Sequence, residues 1–153
     1  MTYEEKLERA GYMIHEPAAA AARPFESAVR TGDLIFVSGH AARDAGELKY
    51  TGIVGDNITM DQAQDAAILC LLNCLKAVKS VTGSLDAIKQ IVNIKGYVAS
   101  TPEFIGQPQV MNAVSQLVND VFGNAGKHSR VALGASSLPG GTPVEVEMIV
   151  QVK

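Results

Sequence analysis

The sequence predicts an α+β fold, one sheet with two helices packed on the same face. Three observations carry that prediction. Two stretches, Thr59–Val81 and Pro108–Phe122, repeat apolar residues at helical spacing. Five or six shorter stretches have strand character, and two helices cannot cover both faces of a sheet that wide. The closing stretch Val144–Val152 alternates apolar residues with Glu145 and Glu147, so its two faces differ in kind. At 153 residues the chain is most simply one domain, and at 47% hydrophobic it has material for a core. Aromatics are 5% and tryptophan is absent, so that core is aliphatic.

In chain order, Thr2–Gly11 reads as a short helix. Thr2 and Glu5 have capping-box spacing, Glu4 and Glu5 suit the positive helix start, and Gly11 suits the stop. Met13–Pro24 reads as an extended connector, because Pro17 and Pro24 disfavour a helix. Phe25–Arg30 and Leu34–Ser38 read as strands joined by a Thr31-Gly32-Asp33 turn. The second is apolar on both faces, which predicts a central strand covered on both sides. Ala41–Lys49 is polar and loop-like, and Tyr50–Gly55 reads as a short third strand.

The long helix starts at a second capping box, Thr59 with Gln62, and ends at Gly83. Its stripe is Ala63, Ala67, Cys70, Leu71, Cys74, Leu75 and Val78. Ser84–Ile88 fits one extra turn. Gln90–Ser100 reads as a strand with Val92, Ile94, Gly96 and Val98 on one face. The next helix carries Val110, Val114, Leu117, Val118 and Val121 as its stripe and stops at Gly123 and Gly126. The chain closes on two strands, Arg130–Ser136 and Val144–Val152, joined through Leu138-Pro139-Gly140-Gly141 and expected to be neighbours.

Composition narrows the function. Net charge is −3, and the thirteen basic residues never occur side by side, which argues against a nucleic-acid footprint. Cys70 and Cys74 sit one helical turn apart in an apolar run and read as buried thiols, with no further ligands at metal spacing and no disulfide framework. The charged N-terminus is unlike a signal peptide, and no apolar run is long enough to span a bilayer. A cytoplasmic protein with no cofactor and no membrane partner is expected.

Chemistry concentrates in the closing strands. Arg130 at a strand start and a glutamate on the neighbouring strand are what a small carboxylate-binding, water-handling pocket needs; a structural salt bridge between them would look the same. Alternation alone does not choose between Glu145 and Glu147. Ser38 reads as a strand-end hydrogen-bonder rather than a nucleophile, since no Ser-His-acid set is visible. His40 and His128 read as structural or surface residues that are also placed to line a cleft. Apolar residues on the second sheet face, including Ile149, predict association of copies through the sheet.

The segments VRTGDLIFVSGHAARD and SRVALGASSLPGGTPVEVEMIVQV resemble the YjgF/RidA family of small trimeric imine/enamine deaminases, whose members are often labelled endoribonuclease L-PSP. The pattern of Arg130, Leu138-Pro139 and Val144-Glu145-Val146-Glu147 is the specific part, and Ser38-Gly39 matches a second signature. The resemblance spans residues 24–153, leaving 1–23 as an N-terminal helix and connector like those of a longer branch. It implies a chorismate mutase-like fold: a single mixed sheet, two helices on one face, and three subunits forming a trimeric barrel with clefts between them. It also implies that Arg130 holds a substrate carboxylate and Glu145, chosen by its spacing from Leu138-Pro139, positions a water. The backbone of Ala132 and the side chain of Ser38 would line the site. Phe25 stands where the deaminases usually have tyrosine, Ala132 where cysteine is frequent, and His40 where glutamine is common.

The implied function is hydrolysis of reactive 2-imino or enamino acids to 2-oxo acids and ammonia, a form of metabolite damage control. The partners are then a small carboxylate-bearing metabolite and two further copies of the chain. The alternatives are a non-catalytic trimer that binds the same carboxylates and, less in keeping with the charge, an endoribonuclease.

Overall fold

The computed structural model describes residues 1–14 and 22–153. Most of the connector expected at Met13–Pro24 lies outside them. The element order is α1 (Tyr3–Arg9), β1 (Ala28–Thr31), β2 (Leu34–Ala41), β3 (Arg43–Asp44), β4 (Glu47–Leu48), α2 (Met60–Thr82), β5 (Ile88–Ala99), α3 (Gln107–Phe122), β6 (Ser129–Ala135) and β7 (Val144–Val152). Five strands form one sheet in the order β1-β2-β7-β5-β6. All neighbours are antiparallel except β5 and β6, which run parallel with α3 as their crossover. The sheet is therefore mixed, and α2 and α3 cover one face, as expected.

Local chemistry starts and stops the helices. Thr59 accepts from the Gln62 amide while the Gln62 side chain accepts from the Thr59 amide, a closed capping box worth about 1 kcal/mol. Gly83 ends α2 at φ 85°, a left-handed position that glycine adopts without penalty. The predicted stripes of α2 and α3 are fully buried and meet the inward residues of the sheet, among them Ile35, Ile91, Ile94, Val146 and Val150. Gly96 lets α3 approach closely, because a Cβ there would overlap the side chain of Met111.

The N-terminal helix docks on the body. Thr2 and Glu5 close its capping box, and Leu7 is buried, contributing about 1.5–3 kcal/mol. Two reciprocal caps then tie it down. Glu4 Oε1 accepts from the Leu85 amide at 2.6 Å, and Asp86 Oδ1 accepts from the Tyr3 amide at 2.8 Å.

Several expectations are corrected. The closing strands are not neighbours: β5 lies between β6 and β7, since a parallel crossover places β6 at the sheet edge. Val92 does not share a face with Ile94; a register shift between Ile91 and Asn93 turns it outward. The first strand begins at Ala28, not at Phe25. The second is next to the edge and, within one chain, leaves Phe36 45% exposed. The supposed loop after it contains the β3–β4 hairpin, turned at Ala45 and Gly46 with φ 51° and 87°. Tyr50–Gly55 is no strand; glycines at φ 142° and 93° interrupt it, and Val54 makes only isolated bridges to Ile58 and Ser100.

Candidate active site

Register assigns each candidate to a face. Arg130 pairs with Ile94 and Ala132 with Gly96, so both point toward the helices. Glu145 pairs with Tyr97 and Ala41, and Glu147 with Lys95, on the face that no helix covers. Within one chain, Arg130 and Glu145 thus lie on opposite sides of the sheet.

Arg130 leans on α3. Its Nη1 donates to Asn112 Oδ1 at 2.9 Å and to Ser115 Oγ at 3.1 Å, two residues one helical turn apart on the same helix face. The ion pairs among the described residues are Lys49–Asp65 and Lys95–Glu147, so Arg130 is in neither. The structural salt bridge to Glu145 or Glu147 is therefore not formed within the chain. Behind Ser115, His128 Nε2 lies 2.9 Å from Ser115 Oγ and Nδ1 lies 2.6 Å from the Gly126 carbonyl oxygen. Arg130, His128, Ser115, Asn119 and Lys127 line an open depression. Its lining carries cationic side chains and no carboxylate, which suits an anion.

On the open face, Glu145 packs against Gly39, where a Cβ would come within 2.9 Å of Glu145 Oε1. Partial burial, with the Glu147 carboxylate adding to it, holds the Glu145 carboxyl above the usual glutamate range. Glu147 itself faces Lys95 Nζ at 3.6 Å and the Tyr97 hydroxyl at 3.4 Å, and burial with the nearby Glu147 charge pushes the Tyr97 phenol up. Glu145 has no such cation, which sets the two glutamates apart.

The other candidates sit as follows. Ser38 Oγ donates to the Glu26 carbonyl at 2.7 Å and its amide to that of Ser27, so it is a hydrogen-bonder as expected. It lies inside β2 at its register shift rather than at a strand end, since the strand continues to Ala41. Phe25 is exposed, with the Arg23 guanidinium 5.0 Å above its ring. His40 pairs with Val146 on the covered face; its Nε2 is buried without a partner. Burial first, then the charges of Arg23 and Lys76, hold its pKa below the ordinary value. Cys70 and Cys74 donate to the carbonyls of Val144 and Val146 at 3.2 Å, and burial pushes both thiols up. They are core residues. No cluster of three or more His, Cys, Asp or Glu with metal-ligand geometry occurs among the described residues. No helix among them is long and apolar enough to cross a membrane.

Asn112 and Ser115 were not legible as site residues. Their signal is only two polar positions three apart in an apolar helix, and it acquires meaning once β6 lies beside α3.

A mixed sheet with two helices on one face is the α+β architecture that defines the class of protein. Residues 4–150 match the family described as "YjgF/chorismate mutase-like, putative endoribonuclease", and the chain belongs to that family. It is 36% identical over 148 residues to Protein TCP17 of Trypanosoma cruzi, covering 95% of this chain and 91% of that one. A crystal structure of a protein of unknown function from Agrobacterium tumefaciens superposes with TM-score 0.91 at 35% identity, over 99% of this chain and 94% of the other. Another, described as a putative endoribonuclease from Shewanella oneidensis MR-1, gives TM-score 0.92 at 29% identity over 99% and 100%. Both alignments run through α1, so the N-terminal helix is part of the shared structure.

Proposed function

We propose that this chain is a hydrolytic deaminase of 2-imino and enamino acids, acting as a homotrimer. The observation that carries the reading is Arg130, a half-buried guanidinium fixed by two neutral acceptors and left with its charge uncompensated. In this reading it anchors the substrate carboxylate. Glu145 orients a water over the imine carbon and takes one of its protons. The water oxygen bonds to carbon, the nitrogen is protonated, the carbon–nitrogen bond breaks, and a 2-oxo acid and ammonia leave. The raised Glu145 pKa favours taking and returning a proton. No metal or organic cofactor is needed for these steps.

Because the two residues occupy opposite faces of one sheet, the reading requires Glu145 from one copy to meet Arg130 from another. Two features support this. Arg130 stands on the edge strand, and the open face exposes Val29, Phe36, Val131 and Leu133 around the glutamates. Ser38, Phe25, His40 and Ala132 are then candidates for the cleft wall.

The test generates 2-iminopropanoate or 2-iminobutanoate in situ and follows its decay. Purified protein accelerates it and Arg130→Ala loses roughly 100-fold, since two charge-assisted hydrogen bonds go. No acceleration, or full activity in Arg130→Ala, overturns the enzyme reading. Pyruvate bound at Arg130 without turnover supports the non-catalytic alternative instead.

A further inference from the structure

We propose that Asn112, Ser115 and His128 are positioning residues that aim one particular edge of Arg130 at the ligand. The inference rests on the reading of Arg130 as a carboxylate clamp and deepens it.

A guanidinium carries five N–H donors, two on each Nη and one on Nε. Both Nη1 hydrogens have acceptors here, Asn112 Oδ1 at 2.9 Å and Ser115 Oγ at 3.1 Å. Among the described residues, Nε and Nη2 have none. The donors left over are those of the Nε/Nη2 edge, whose two parallel N–H groups match the spacing of a carboxylate's oxygens. The side chain is thus consumed on its α3 side and offers one fork.

The Ser115 hydroxyl is itself oriented. The Gly126 carbonyl only accepts, which places a proton on His128 Nδ1, 2.6 Å away. In the neutral imidazole Nε2 then accepts, and the Ser115 hydroxyl 2.9 Å away donates to it. That direction leaves the oxygen lone pairs of Ser115 for Arg130 Nη1. A chain of single-direction bonds runs from Arg130 through Ser115 and His128 to the backbone at Gly126, where α3 hands over to β6. Every acceptor along it is uncharged, so the cation is fixed in place without being neutralised. A carboxylate in the place of Asn112 would hold the arginine as firmly and compete with the ligand's own charge.

The test uses the full chain with arginine side chains labelled for NMR. Arg130 is assigned from its absence in Arg130→Lys. Hindered rotation about the bonds to Nη is expected in the wild type and fast rotation in the Asn112→Ala/Ser115→Ala double variant, with unchanged far-UV circular dichroism. Asn112 is exposed and Ser115 half-buried on a helix, so both tolerate alanine. In parallel, calorimetry with 2-oxobutanoate and in situ imine turnover are measured. Ser115→Ala raises Kd and KM by roughly tenfold with a smaller change in kcat, as expected for a misplaced clamp, and Ser115→Thr, which keeps the hydroxyl, restores both. Hindered rotation and wild-type affinity retained in the double variant overturn the proposal. If rotation is freed in that variant but the wild type neither binds 2-oxobutanoate nor turns over imine, the positioning network stands and the deaminase reading falls.

Discussion

The two faces of the sheet are built to different rules. The covered face is a continuous aliphatic layer in which Ile35, Ile91, Ile94, Val146, Met148 and Val150 meet the stripes of α2 and α3. Its polar features are confined to the margins: His40 beside the bulge of β2 and Arg130 on the edge strand β6. The open face interleaves Phe36, Val131, Leu133 and Ile149 with Lys95, Tyr97, Glu145 and Glu147. One face has its complement inside the chain and is saturated; the other is too apolar for water and too charged for an ordinary core. The difference teaches that Arg130 and Glu145, the pair proposed to act together, are separated by the sheet itself. Arginine belongs to the helix side and glutamate to the open side, so under the proposed function each chain would contribute to two different clefts.

That contrast can be broken directly. The largest effect is expected from Ile94→Ala, which opens a cavity in the saturated face and costs about 2–5 kcal/mol in denaturant unfolding. Phe36→Asp, on the open face, is expected to spare the covered core and convert the proposed trimer to a monomer by light scattering; a wild type that is already monomeric removes the shared-site reading.

Smaller effects come from the charges. Glu147 helps to hold Glu145 above its ordinary pKa, so Glu147→Gln lowers it and shifts the acid limb of kcat/KM to lower pH. An unmoved limb means that Glu145 is not the titrating base. On the covered face, the fold favours neutral His40, so its native pKa lies below the ordinary 6.5. The stability it contributes is present above that value and is lost as pH falls through the native one. His40→Gln is therefore expected to lose less stability than the wild type between about pH 7 and about pH 5, read from denaturant midpoints.

Much of this architecture was readable because it is local. Thr59 with Gln62, Thr2 with Glu5 and Gly83 act within one helical turn, and each does in the structure what its spacing implies. The alternation of β7 likewise names its buried residues without reference to anything else. The errors arise where the backbone departs from what the residues announce. Val92 was placed on the wrong face because a bulge breaks the period of two, and nothing in the residues Ile91, Val92 and Asn93 announces a bulge. The β3–β4 hairpin was hidden because its turn uses Ala45, a non-glycine residue at positive φ, in a stretch too polar to suggest strands.

The sequence alone determined the helices, their ends, the inward face of β7, and Arg130 and Glu145 as the residues to watch. The helices, their ends and the β7 face follow from periodicities and caps a few residues long, whereas the choice of Glu145 over Glu147 followed only from the family resemblance. Only the tertiary structure decided that β5 separates β6 from β7, that Arg130 and Glu145 face opposite ways, and that Asn112 and Ser115 are the arginine's partners. Strand order is a long-range choice set by burying α3 as a crossover, and which side of the sheet a side chain meets depends on neighbours that are distant in the chain.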